Sequence, residues 1–385
     1  MTGIALRRAA GTVLAAAIAI LGAPGAARAA STIVVRPGDS IQAAVDQANP
    51  GDTILVEPGT YTEAGRPCPT ELGELCAVVV SKDGISLLGQ PVPGHPVLLE
   101  NPGGQDQGIA VARSADPACL TDATQRVQGS TVSGFTVDDF GGYGVFLYCV
   151  DHWRITRTTT RDDLEYGIFP SHSGFGRVDH SFASGAQDTG IYVGQSHDVR
   201  MDHDVATDNV SGFEIENSTN VRADHNEATG NTGGILSFIL PFLDTHVNAN
   251  NRIDHNFVHD NNRGNTCAGG EVCLVPVGTG ILLVSADANS VADNLVTGNN
   301  SLGIAVTNFC VVTHLSPEEC AGLDFEPNPD GNLIASNRLS GNGADPDPSI
   351  APFPGADLLW DGTGIGNCWV RNRFESSFPS PLPCS

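Results

Sequence analysis

Lysine is almost missing from this chain. Its 385 residues include one, Lys82, and 19 basic residues in all stand against 44 acidic ones, a formal net charge of −25. So acidic a surface repels phosphate backbones and anionic membranes, so nucleic acid is not an expected partner. It also disfavours polyanionic polysaccharides unless cations screen them. Methionine is nearly absent too, with two in the chain, which leaves no Met/Cys cluster for copper. No CxxC pair occurs, so the ten cysteines do not read as zinc or iron–sulfur ligands, and no residue is assigned as a dedicated metal ligand. Past the N-terminus there is no apolar run long enough to span a bilayer, so no membrane span is expected.

The N-terminus reads as an export leader over residues 1–29. Arg7 and Arg8 precede an apolar stretch at 12–21, and Ala27-Arg28-Ala29 fits a small-x-small cleavage pattern. The protein is expected to be secreted, extracellular and monomeric. In an exported chain ten cysteines read as disulfides. Their order suggests five local pairs: Cys68–Cys76, Cys119–Cys149, Cys267–Cys273, Cys310–Cys320 and Cys368–Cys384.

A short phrase then recurs: a glycine, alternating residues and a turn. Gly144, Gly167, Gly190, Gly212 and Gly234 open it at steps of 23, 23, 22 and 22, and it returns at Gly280 and Gly303. A fixed period of this length means stacked coils of one supersecondary unit. Arg-x-Asp-His recurs at 177–180, 200–203, 222–225 and 252–255. Asn pairs five apart recur at Asn226/Asn231, Asn256/Asn261, Asn294/Asn299 and Asn337/Asn342. Stacked coils bring equivalent residues to about 4.8 Å, so the Asn amides can bond up a ladder. Arg and Asp columns alternate charge, and the His column (His180, His203, His225, His255) reads as corner hydrogen bonding in preference to metal binding.

On these repeats the sequence resembles the right-handed parallel β-helix proteins of the pectate-lyase-like superfamily. The resemblance implies an all-β solenoid over 30–385, and the phrase from Pro50 to Tyr61 with a helix from 41 to 49 resembles the N-terminal cap of such proteins. That scaffold carries lyases, hydrolases, epimerases and non-enzymes alike. Tyr166-Gly167-Ile168-Phe169-Pro170-Ser171-His172 resembles the Tyr-Gly-x-Asp-Pro-His phrase of mannuronan C5-epimerases and related lyases. Here Phe169 stands at the Asp position and Ser171 at the His position, and His172 falls one step late, on the opposite face of a straight strand. Two of the three functional groups are thereby lost.

With the residue after each glycine inward, two columns face outward: Phe146, Phe169, Tyr192, Glu214, Leu236, Leu282, Ala305, and Tyr148, Ser171, Gly194, Glu216, Phe238, Val284, Thr307. Water-facing aromatics suit sugar rings. The unburied position of Glu214 and Glu216 supports this register, since buried charge is costly. Glu214 and Glu216 lie roughly 6.5–7 Å apart along one strand face, with Asp188 near. Three readings stay open for the pair: a solvated acidic patch, a Ca²⁺ or sugar site completed by Asn217, and an acid–base pair for glycoside hydrolysis. Insertions at about 239–246, between Asn261 and Gly280 and between Gly303 and Asn337 wall this face.

The expectation is a carbohydrate-active protein that binds, and by hydrolase or lyase chemistry cleaves, a polysaccharide or glycan on the exposed strand face of coils 166–240. Glu214, Glu216, Asp188, Tyr166 and His172 are the catalytic candidates. Phe169, Tyr192, Gln195, Asn217 and Phe238 are the substrate-binding ones. The rival is a non-catalytic extracellular binding or scaffold protein.

Overall fold

A computed structural model describes residues 29–70, 73–114 and 117–385. The expected leader lies, but for Ala29, outside them. No helix among the described residues is long and apolar enough to cross a membrane.

Each coil contributes three short strands, and equivalent strands of successive coils pair in parallel. The described strands form sheets of 14, 10 and 12 strands that run the length of a parallel β-helix. The chain enters through strand Thr32–Val35 and helix Ile41–Gln47, whose N-terminus is capped by the Ser40 hydroxyl. The helix stops two residues short of the expected end. Ile41, Ala44, Val45 and Ala48 bury the expected face across the open end of the first coil. All five local disulfides are formed as the cysteine order suggested.

Inside, the inward residues of each strand stack on their equivalents in the next coil. Ile168, Ile191, Phe213, Ile235, Ile281 and Ile304 make one such column, each 0 % exposed. Each such side chain contributes about 1.5–3 kcal/mol of burial, and the column supplies one per coil. The recurring glycine precedes this column for a steric reason. A Cβ at Gly167 would lie 2.6 Å from the Gly190 carbonyl oxygen, and one at Gly212 would lie 2.7 Å from that of Gly234.

The Asn ladders form as expected. Asn209, Asn231, Asn261, Asn299 and Asn342 donate in turn from side chain to side chain at 2.9–3.0 Å, and Asn256, Asn294, Asn337 and Asn372 do likewise at 3.0 Å. Each amide also accepts a backbone N–H from the preceding coil, so buried turns keep their polar groups paired.

The Arg and Asp columns interlock between coils. Arg154, Arg177, Arg200 and Arg222 each fork onto the Asp of the following coil: Asp179, Asp202, Asp224 and Asp254. Burial alone would raise these carboxyls, but the Arg forks and His bonds outweigh it and hold all four below the usual range. The His rings stack 5.1 Å apart, nearly parallel, each with Nδ1 at 2.8–2.9 Å from its own coil's Asp. The histidines are thus engaged within the stack. Among the described residues no group of three or more His, Cys, Asp or Glu is arranged to hold a metal ion.

Candidate active site

The twelve-stranded sheet carries the site on its outer face. Tyr166–Ser171 pairs with Thr189–Gly194, then Ser211–Glu216, Gly233–Phe238, Thr279–Val284 and Leu302–Thr307. The expected register holds. The column with Glu214 and the column with Glu216 both point away from the coil interior, and Tyr192 pairs with Glu214 and Gly194 with Glu216.

The expected exposure does not hold. Glu214 is 3 % exposed, Glu216 6 % and Tyr192 4 %. The face is outward from the helix yet not toward water, because the three insertions fold over it. Ile239 and Leu240 come from the first, Val272 and Val275 from the Cys267–Cys273 loop, and Phe309 and Val312 from the helix Phe309–Val312 that follows strand Leu302–Thr307. Together they roof a cavity of about 190 Å³ lined by Tyr166, Asp188, Glu214, Glu216 and Phe238. Glu214 and Glu216 are therefore buried, contrary to the expectation. Loops that cover them are remote in sequence, and the burial cost falls on their ionisation instead.

Asp188 accepts hydrogen bonds from the Tyr166 hydroxyl at 3.0 Å and the Thr189 hydroxyl at 2.9 Å. Burial still pushes its carboxyl up to about 6, helped by the negative charges of Glu165 and Glu271. Glu216 accepts from the Tyr192 hydroxyl at 2.8 Å. Burial pushes Glu216 up to about 8, with that bond pulling the other way. Glu214 is raised well above the usual range by burial and by the adjacent Asp188. Burial also raises both tyrosine hydroxyls well above their ordinary value, so neither is a phenolate near neutrality. Gly194 makes the Tyr192–Glu216 bond possible, because a Cβ there would fall on the Tyr192 hydroxyl.

Five of the ten candidate residues thus meet in one cavity: Tyr166, Asp188, Glu214, Glu216 and Phe238. Tyr192 supports it from below. Phe169 belongs to an aromatic cluster beside it, with ring centroids 4.3 Å from Tyr166, 4.5 Å from Tyr192 and 4.8 Å from Phe146. The aromatics pack on one another as a continuous patch and are not separate platforms.

Three candidates do a different job. His172, Gln195 and Asn217 occupy the same corner of successive coils with φ of +50°, +49° and +43°. The left-handed turn swings each side chain outward, which corrects the expectation that His172 faces the opposite side. All three hold the 239–246 loop. Asn217 accepts from Leu240 N–H at 2.7 Å, donates to Leu240 O at 2.9 Å and also donates to Thr245 O. Gln195 accepts from Asp244 N–H at 2.9 Å, and His172 Nε2 lies 3.2 Å from an Asp244 oxygen. Asn217 is engaged by these bonds with the loop and does not line the cavity of Glu214 and Glu216. Glu271 at the mouth and the apolar roof residues were missed as individuals, although the insertions that carry them were legible.

Coil upon coil of parallel strands around one apolar column defines the chain as a right-handed parallel β-helix. The family described as "Right handed beta helix region" matches residues 122–243. No curated protein matches the chain in sequence. In structure it is similar to the mannuronan C-5 epimerase AlgE4 A-module of Azotobacter vinelandii, at 18 % identity and TM-score 0.62, over 86 % of this chain and 90 % of that one. It is similar to the periplasmic alginate epimerase AlgG at 16 % identity and TM-score 0.53, covering 88 % and 83 %. DFA-IIIase from Arthrobacter chlorophenolicus A6, solved without its lid in complex with GF2, aligns at 14 % identity and TM-score 0.52, covering 86 % of each chain. At these identities the likeness establishes the fold.

Proposed function

We propose that this is an exported, carbohydrate-active β-helix enzyme that hydrolyses a glycosidic bond in the cavity of Asp188, Glu214 and Glu216. The observation that carries the reading is the pairing of two differently tuned carboxyls in one enclosed site. Glu216 is bonded to Tyr192 and holds its proton through neutrality, whereas Asp188 is bonded to Tyr166 and has lost its proton by pH 7. Carboxyls driven apart in this way mark the acid and the base. Glu216 gives its proton to the leaving glycosidic oxygen as the bond to the anomeric carbon breaks. Asp188 takes a proton from the water whose oxygen bonds to that carbon. Asp188 thus takes the place of Glu214, which the spacing along the strand paired with Glu216. Glu214 lies beside the base, its own carboxyl raised well above the usual range by burial and by Asp188.

Export is supported by the five disulfides, which persist in oxidising compartments. A carbohydrate substrate is supported by the aromatic patch and by fold neighbours named as acting on mannuronan or alginate. Epimerisation by the Tyr/Asp/His route has no support here, since Phe169 and Ser171 replace two of its groups. The test is a glycan and glycoside screen of wild type and Glu216→Gln, scored for new reducing ends, unsaturated product and binding. Hydrolysis predicts reducing ends that vanish in Glu216→Gln while binding persists. Unsaturated product, or turnover untouched by the substitution, would sink the proposal, and binding without any product would favour the scaffold reading.

A further inference from the structure

The outer face of the twelve-stranded sheet changes character along the solenoid axis. The early coils are aromatic, with Tyr143, Phe146, Tyr166 and Phe169 in mutual contact. The coil of Ser211–Glu216 brings the acids. The later coils are hydrocarbon: Leu236, then Leu282, Ala305 and Leu359 continue the Glu214 column. Aromatic, acid and apolar zones therefore follow in line at about 4.8 Å per coil.

The apolar zone is roofed yet not filled. Beside the acid cavity lies a second chamber of about 290 Å³, and both are walled by Leu274, Val275, Leu282 and Val312. Its floor is Ala305 and Leu359. The polar side chains on its wall are largely committed to the protein. Asn265 donates to the carbonyls of Val272 and Val275 at 3.1 and 3.2 Å. Asp347 accepts from the N–H groups of Val277 and Ser349 at 3.1 and 2.9 Å, and Thr307 donates to Asp361 at 2.9 Å. Among the described residues no lysine or arginine lines either chamber, and His314 is the one basic side chain on the wall of the second, so a uronate or other anion meets little positive charge there. Close-packed interiors leave few voids larger than a water molecule, whereas an apolar void of about 150 Å³ stays dry and takes up benzene.

We propose that the substrate is a glycoside with an apolar aglycone, an alkyl chain or fused-ring group, whose sugar lies over the aromatic coils and the acids and whose aglycone runs from the scissile bond at Glu216 along the apolar wall shared by the two cavities into the second chamber. This rests on the acid–base reading above and adds the substrate class. A polysaccharide would put a polar ring against the mostly apolar wall of the second chamber.

The experiment is calorimetric titration of Glu216→Gln protein with n-alkanols from butanol to decanol, which need no sugar. It is repeated with Ala305→Phe, which fills the second chamber from its floor, and with Val312→Trp, which fills it from the roof should the first variant fail to fold. Affinity is expected to rise about fourfold per methylene until the chambers are full, and to stop rising several carbons earlier in the filled variants. Affinity independent of chain length, or identical series in filled and unfilled proteins, overturns the proposal. Turnover of methyl and octyl glycosides by wild type separates the two readings. Alkanol binding without hydrolysis refutes the acid–base reading and upholds the apolar site. Hydrolysis with no gain for the octyl series upholds the acid–base reading and overturns the apolar aglycone.

Discussion

Replacing Glu216 by glutamine should stabilise this protein, and the gain should grow with pH. Glu216 is 6 % exposed, and its carboxylate accepts a hydrogen bond from the Tyr192 hydroxyl, an arrangement a glutamine oxygen preserves. Its carboxyl is pushed up to about 8 from 4.5. The folded state therefore binds a proton that the unfolded chain has released, and stability falls as pH rises from the unfolded value to the folded one. At 1.36 kcal/mol per unit the loss is about 5 kcal/mol above pH 8 and only about 1 kcal/mol at pH 5. Glutamine carries no such penalty. For a chain of this size 5 kcal/mol corresponds to a melting-point rise on the order of 5 °C. The assay is thermal unfolding of wild type and Glu216→Gln with disulfides intact, from pH 5 to pH 9. A difference that does not change with pH, or a variant that loses stability as pH rises, would refute the burial argument and with it the assignment of Glu216 as a proton-holding acid.

The pH dependence of kcat/KM should rise through about 6 as Asp188 ionises and fall through about 8 as Glu216 does. Tyr192→Phe removes a bond that favours the Glu216 carboxylate, so the falling limb should move up, and a downward move counts against the pairing. Combined Gln195→Ala and Asn217→Ala changes should free the 239–246 loop, raising hydrogen exchange at the Leu240 amide roughly fivefold through loss of a bond worth about 1 kcal/mol; unchanged exchange would show that these residues do not hold it. Arg200→Met strips the fork from Asp224 and should cost about 2 kcal/mol at pH 7. Asp224 is held below its ordinary value, so this contribution is present above the unfolded pKa near 4 and is lost as pH falls through the folded value. Unfolding measured at pH 7 and pH 2 should show the difference shrinking in acid, and an equal difference at both would be contrary to the ion-pair account.

The solenoid is legible in the sequence alone. Its period, the glycine before each inward residue, the Asn and Arg-x-Asp-His columns and the order of the cysteines are all local or strictly repeating. Stacking at a fixed spacing converts such repeats directly into contacts, so the Asn ladders, the outward columns and all five disulfides were legible. Even there the interlocking of each Arg with the next coil's Asp was not, because the pairing depends on the twist between coils. The dielectric around the acids is a property of the folded chain and is not encoded in the repeat. Glu214 and Glu216 were found on the right face and assigned to water, since nothing in their own coil covers them. The cover comes from loops up to about a hundred residues away, and it turns exposed carboxylates into proton-holding acids. His172, Gln195 and Asn217 changed roles for the same reason: a left-handed corner aims them at a loop whose path no repeat encodes. A repeating sequence specifies its scaffold because neighbours in space are equivalent in sequence. The irregular insertions obey no such equivalence, and it is they that enclose the site.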